Sequence, residues 1–201
     1  MIRVLIAEDQ GMVRGALKAL LAMEDDIQIV GETDRADRVL ALAMESKPDV
    51  ALLDIEMPGG DGITTAGQLR KALPSCKALI LTTFGRPGFL RRAMESGASG
   101  FMLKDAPAHE LALAIRRTMA GERVVDPGLA AATLSAGVSP LSEREREVLV
   151  AGRRGASIAE IARALFLSEG TVRNYLSSAI QKLEVSNRAE AARVAEQQGW
   201  L

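Results

Sequence analysis

Three carboxylates, a hydroxyl and an ammonium sit where short apolar runs of the sequence stop. Glu8 and Asp9 follow Val4-Leu-Ile-Ala7, and Asp54 follows Val50-Ala-Leu-Leu53. Thr82 closes Ala78-Leu-Ile-Leu81, and Lys104 follows Phe101-Met-Leu103. If these runs are strands of one parallel sheet, their carboxyl ends share a rim, and open α/β sheets bind ligands at that rim. Carboxylates brought so close repel, and a hard divalent cation such as Mg²⁺ neutralises them with oxygen ligands. Adding Thr82 and Lys104 makes a site for an anion carrying several oxygens. Phosphoryl transfer asks for this set, because its catalysis is mostly positioning and charge stabilisation. In that chemistry Asp54 is the nucleophile, the metal and Lys104 clamp charge, and Thr82 donates to the transferred group. Each residue alone reads as a turn or surface residue; their coincidence at successive strand ends points to a site.

A second set lies near the C-terminus. Val172, Leu176, Ala179, Ile180 and Leu183 trace one helical stripe. Opposite it stand Arg173, Ser177 and Gln181, with Asn174 and Ser178 beside them. Arg bonds guanine, and Asn or Gln bonds adenine, in a major groove. Lys182, Asn187 and Arg188 at the far end suit phosphates. A shorter helix carrying Ile158, Ile161, Ala162 and Leu165 precedes, joined by the turn Phe166-Leu-Ser168. Helix, tight turn and longer helix form the layout of a helix-turn-helix.

The elements that must hold these groups follow from periodicity. Residues 3–7, 27–30, 50–53, 78–82 and 100–103 read as strands. Between them, apolar residues recur at three and four, as in Val13, Ala16, Leu17, Leu20 and Leu21, or Leu111, Ile115 and Met119. Five solid apolar strands alternating with five helices imply a doubly wound parallel sheet covered on both faces. From 121 to 139 the period fades among Gly121, Pro127, Gly128 and Gly137, which reads as a linker with one short helix. Beyond it the pattern is all-α. Capping boxes at Ser142-x-x-Glu145 and Ser157-x-x-Glu160 start two helices, and two more start near Ser168 and Asn187. The domains are thus 1–120, 121–139 and 140–201.

With 48% hydrophobic and 25% charged residues, the chain has the composition of a globular protein. No apolar run approaches the roughly 20 residues of a membrane span, and no secretory signal precedes Glu8, so a cytoplasmic protein without membrane insertion is expected. The single Cys76 excludes an internal disulfide and reads as core filler. His109, the only histidine, has no metal-binding companions and reads as a surface residue. Residues 140–201 carry 9 basic and 8 acidic side chains, so an affinity for DNA must rest on where charges point. No G-x-x-x-x-G-K or G-x-G-x-x-G follows a strand, which disfavours a nucleotide-binding module.

Ala7-Glu8-Asp9, Leu53-Asp54-Ile55-Glu56-Met57-Pro58-Gly59, Leu81-Thr82-Thr83 and Leu103-Lys104-Asp105 together resemble the receiver domain of two-component response regulators. The resemblance implies a flavodoxin-like fold and phosphorylation of Asp54 by a sensor histidine kinase. It implies Mg²⁺ held by Asp9, Asp54 and the carbonyl of Glu56, with Glu8 acting through water. It also implies a switch in which Thr82 moves inward and Phe101 repacks; many relatives have Tyr there, so signalling through a phenol is not carried over. Leu141-Ser-Glu-Arg-Glu-Arg-Glu-Val-Leu149, Gly170-Thr-Val-Arg173, Lys182-Leu183 and Arg188-Ala-Glu-Ala191 resemble the LuxR-type helix-turn-helix domain. That likeness implies Arg173, Asn174 and Ser177 on base edges, with Thr171, Tyr175, Lys182 and Arg188 on the backbone.

Receiver plus LuxR-type domain is the architecture of the NarL/FixJ family. Ile6-Ala-Glu-Asp-Gln10, Leu81-Thr-Thr-Phe84 with Arg86-Pro-Gly88, and Gly170-Thr-Val-Arg-Asn-Tyr175 look especially like its branch that pairs with membrane-sensing kinases and controls fatty-acid desaturation. The expected protein is a non-enzymatic transcription regulator that forms a homodimer when phosphorylated, binds promoter DNA and can engage RNA polymerase. Its dimer face is expected on Leu111-Ala-Leu113 and Arg116-Arg117, together with the first helix. A Mg²⁺-dependent phosphohydrolase and a receiver acting only through protein contacts are the rival readings.

Overall fold

Short runs of Val, Ile and Leu with no polar face become strands when both faces are covered. A computed structural model describes residues 1–83, 87–135, 139–153 and 155–201. Phe84, Arg86 and Gly137 lie outside the described residues. Along the chain come β1 (Ile2–Ala7), α1 (Gly11–Leu21), β2 (Ile27–Thr33), α2 (Ala36–Ser46) and β3 (Val50–Asp54). Two tiny strands, β4 (Glu56–Met57) and β5 (Gly60–Asp61), precede α3 (Gly62–Ala72) and β6 (Lys77–Thr82). Then follow α4 (Pro87–Ser96), β7 (Gly100–Leu103), α5 (Ala108–Met119), β8 (Val124–Val125) and α6 (Pro127–Ser135). The chain divides into two compact units, and the main boundary in sequence falls after Ala130.

In the first unit the main sheet has the order β2-β1-β3-β6-β7-β8, and all its pairings are parallel. Strand order reverses between β1 and β3, so a crevice opens beyond their carboxyl ends. All five residues of β3 are buried, as a central strand requires. One face of the sheet packs Leu5, Leu53, Ile80 and Phe101 with Val39, Ile63, Leu69 and Leu90 from α2, α3 and α4. The other face packs Val4, Ile6, Leu52 and Leu79 with Leu21 of α1 and Leu111 and Ile115 of α5.

The register fixes what reaches the rim. Ala7 lies beside Leu53, Asp54 beside Leu81, and Thr82 beside Leu103, so Glu8, Asp54, Thr82 and Lys104 end neighbouring strands. Directly after Asp54 the β4–β5 ribbon folds the chain back, and the Gly62 amide donates to the Ile55 carbonyl at 3.0 Å. A Cβ on Gly62 would lie 1.9 Å from the Asp54 carbonyl oxygen, so no side chain fits there.

Periodicity predicts five strands in this sheet, and the structure adds a sixth. Gly121, at φ +86°, turns the chain after α5, and Val124-Val125 then lies along Gly100-Phe101. β8 and α6 both come from the stretch expected as linker, and Leu129 of α6 is buried in the core.

The second unit contains α7 (Glu143–Gly152), α8 (Ile158–Leu165), α9 (Glu169–Lys182) and α10 (Arg188–Gln198). Both expected capping boxes form, at Ser142/Glu145 and Ser157/Glu160. Ser168 caps α9 and Asn187 caps α10 through their side chains. Val148, Leu149, Ile161, Val172, Leu176, Ala179 and Ala191 form the core. Phe166 ends α8 in the left-handed region at φ 55° and is 96% exposed. Its ring gains little from burial, while its Cβ crowds the backbone. Phe166→Gly is therefore expected to stabilise the domain by about 1 kcal/mol, read as a raised thermal midpoint. An unchanged or lower midpoint would show that the ring contributes more than its exposure suggests.

Among the described residues, no helix is long and apolar enough to cross a membrane.

Candidate functional site

The rim of the sheet gathers charge in a small buried volume. Ligand oxygens of Glu8, Asp9 and Asp54 all lie within 4.8 Å of one another. Glu8 and Asp54 are buried, whereas Asp9 is exposed. The Lys104 ammonium sits between the buried pair, 2.6 Å from Glu8 Oε2 and 3.0 Å from Asp54 Oδ2. The backbone steadies each acid: Gln10 N donates to Glu8 Oε1 at 3.1 Å, and Ile55 N donates to Asp54 Oδ1 at 2.8 Å. Lys104 N in turn donates to the Thr82 carbonyl at 2.8 Å, which ties β7 to β6 at the rim.

Burial pushes Glu8 and Asp54 above the ordinary carboxylate range, and the Lys104 cation only partly offsets it. For Lys104 burial favours the neutral amine, but hydrogen bonding and attraction to Glu8 and Asp54 outweigh it and raise its pKa. Thr82 is buried at the same rim, and Phe101 is fully buried one strand away, opposite Ile80 and Val125. Phe101 therefore already packs inward here. Glu56 is exposed on β4, next to the pocket in sequence. One residue escaped the sequence reading: Arg14 of α1 donates to the Glu8 carbonyl at 2.6 Å, bracing the acidic pair from behind. A lone Arg on an amphipathic helix carries no signal of that role.

Burial also bears on the smaller expectations. The Cys76 thiol is buried, and desolvation pushes its pKa up to about 11, as suits a filler. On α5, Leu111 and Ala112 point into the core, and only Leu113 of that trio is exposed. Arg116 grips Asp26 with two bonds of 2.9 and 2.6 Å and Glu24 with one of 2.6 Å; Arg117 pairs with Glu122 at 2.7 Å. Met12 on α1 is 90% exposed.

In the second unit, α9 buries Val172, Leu176 and Ala179 and turns Arg173, Asn174, Ser177 and Gln181 to solvent. Arg173 pairs with Glu169 one turn back at 2.8 Å, an exposed contact that is readily exchanged. Thr171 joins the Ser168 cap at 2.8 Å, and Tyr175 packs against the core. The three residues assigned to phosphates all have partners within the unit. Lys182 binds Glu145 at 2.8 Å, Arg188 Nη1 donates to the Ala156 carbonyl at 2.8 Å, and Asn187 accepts from Glu190 N at 2.9 Å. Ser178, expected on the outer face, instead donates to Glu145 at 2.6 Å.

Residues 4–116 match the family described as response regulator receiver domain, and residues 139–195 match that described as bacterial regulatory proteins, luxR family. The chain belongs to the LuxR-type response regulators. Transcriptional regulatory protein DesR and uncharacterized transcriptional regulatory protein YvfU, both of Bacillus subtilis (strain 168), are each 44% identical to it over 201 residues, covering 100% of both chains. Identity does not separate these two relatives. A solved structure of two RcsB dimers bound to two parallel DNAs superposes with a TM-score of 0.70 at 25% identity, covering 98% of each chain.

Receiver domains bind Mg²⁺ at an acidic cluster, and this response regulator has the donors for it. Three carboxylates converge. Glu8 Oε2 is buried, with the Lys104 ammonium 2.6 Å away as its counter-charge. Hard oxygen donors with unused lone pairs suit a small divalent cation.

Proposed function

We propose that this response regulator is switched by phosphorylation of Asp54 and that the switch controls binding of its C-terminal half to promoter DNA as a homodimer. Asp54 attacks the phosphorus of a phosphohistidine on a sensor kinase. A P–O bond forms, the P–N bond breaks with its electron pair staying on nitrogen, and the imidazole leaves neutral after taking a proton from solvent. Asp9, Asp54 and the Glu56 carbonyl would hold Mg²⁺, with Glu8 through water, and the bound ion supplies counter-charge to the phosphoryl oxygens. Lys104 lies 3.0 Å from the accepting carboxylate and neutralises the added charge, while Thr82 donates to it. Movement of Thr82 frees space around Phe101, and the strands bearing them are direct neighbours.

Residues 1–120 then act as the receiver, 121–139 as a linker that also lends β8 to the sheet, and 140–201 as the DNA-binding domain. The dimer face is assigned to α1 with exposed Leu113 of α5. Two linked helix-turn-helix domains gain effective concentration on adjacent half-sites. Arg173, Asn174 and Ser177 face base edges, with Thr171 and Tyr175 toward the backbone, and a contact with RNA polymerase follows at a promoter. The chain works in the cytoplasm.

One observation carries the reading: a buried Glu8–Lys104–Asp54 cluster at the switch point of a receiver sheet, in the same chain as a helix-turn-helix. Footprinting with and without acetyl phosphate and Mg²⁺ tests it. Protection of paired half-sites should strengthen with the donor. Protection indifferent to the donor, or none at all, would overturn it.

A further inference from the structure

Glu145 is a carboxylate buried inside a helical domain, at 3% exposure, and it accepts from three directions. Oε2 takes the Ser142 amide at 2.6 Å and the Lys182 ammonium at 2.8 Å, while Oε1 takes the Ser178 hydroxyl at 2.6 Å. The Ser142 amide belongs to the cap of α7. Ser178 and Lys182 stand one turn apart on α9, so one side chain holds that helix at two levels.

Apolar packing alone leaves such a helix loosely indexed. Its buried positions, Val172, Leu176 and Ala179, offer nondirectional contact, and the alanine presents only a methyl. Two directional bonds at i and i+4 fix both rotation about the axis and sliding along it. The rotation decides whether Arg173, Asn174 and Ser177 meet base edges. Lys182 has a further constraint: reaching a phosphate would leave Glu145 buried without its cation, which is more costly than one phosphate contact is favourable.

We propose that Glu145 is a positioning residue for the recognition helix α9, and that Lys182 and Ser178 act through it, Lys182 as a strut rather than a phosphate anchor. The inference rests on the DNA-binding reading above.

The test uses the full chain, treated with acetyl phosphate. Wild-type protein first selects a duplex from a randomised library; the probes are that duplex and a scrambled one of equal length. If wild type enriches no duplex, the DNA-binding reading fails, and this inference with it. Otherwise Lys182→Met, Glu145→Gln and the double variant, which has the wild-type net charge, are compared. Each should lose about tenfold in affinity for the selected duplex, the size of one misplaced base contact. The double variant should lose no more than either single change, because all three break one unit. Affinity of the double variant for the scrambled duplex, and the slope of log affinity against log salt, should stay at wild-type values. A merely structural role would weaken both probes together, in step with the unfolded fraction seen by circular dichroism. A phosphate anchor would lower the slope by about one and weaken both duplexes. Either outcome overturns the proposal. Ser178→Ala, a milder change that keeps the ion pair, should lower the ratio of selected to scrambled affinity in the same direction; an unchanged ratio counts against it.

Discussion

Asp54→Asn is expected to abolish labelling by acetyl phosphate completely while leaving the receiver folded. The amide is nearly isosteric, and its oxygen can still accept the Ile55 amide that now lies 2.8 Å from Asp54 Oδ1. Lys104 keeps Glu8 at 2.6 Å, so the ammonium is not stranded when the second carboxylate becomes neutral. What disappears is the nucleophile, since a carboxamide oxygen is a poor acceptor for a phosphoryl group. Asp9 is the exposed acid of the cluster and the natural substitute, which makes the result informative. Intact-mass measurement after incubation with Mg²⁺ and the donor should show wild type gaining one phosphoryl group and the variant none. A phosphorylated variant of unchanged circular dichroism would move the acceptor to another side chain. Donor-dependent dimerisation, followed by light scattering, should vanish with the label.

Removing Glu145 should give the largest loss of stability in the C-terminal unit. Burial alone pushes this acid up, but the Lys182 ammonium, the Ser178 hydroxyl and the Ser142 amide outweigh it and hold the pKa down at about 2. Because the folded value lies below the ordinary 4.5, the stabilisation is fully present above pH 4.5 and drains away as pH falls towards 2. A shift of that size corresponds to roughly 3 kcal/mol. Glu145→Ala should cost about 3–5 kcal/mol near neutrality, since it also strands the Ser142 amide and opens a cavity. Urea melts of the two proteins should then converge as the pH is lowered from 5 to 2. Parallel curves across that range would mean that the carboxylate contributes through its shape rather than its charge.

The sequence made the rim of the sheet legible because each chemical group ends an apolar run, and a parallel sheet turns that serial pattern into proximity. Helix starts in the second domain were legible for a similar reason: Ser142, Ser157, Ser168 and Asn187 all cap the helices they precede. What stayed hidden was the second use of a residue already explained. Glu145 satisfied a capping box, and nothing in one-dimensional spacing says that its carboxylate also faces Ser178 and Lys182, more than thirty positions away. Lys182 and Arg188 suit phosphates by their place at the far end of the helix and by the LuxR-type likeness, and spacing does not show that each also closes a long-range contact. β8 was missed because two residues are too few to show a period, and Gly121 looked like the start of a linker rather than the turn that returns the chain to its sheet.

β8 also bears on how the N-terminal half should be isolated. A fragment cut at residue 120 would strip Val124-Val125 from Gly100-Phe101 and bare the backbone of β7 along that side. Raw sheet margins of this sort stick to one another. Such a fragment would pair or precipitate for reasons unrelated to signalling, and its self-association would imitate an activated receiver. Cutting beyond α6, so that Leu129 stays seated, removes that artefact.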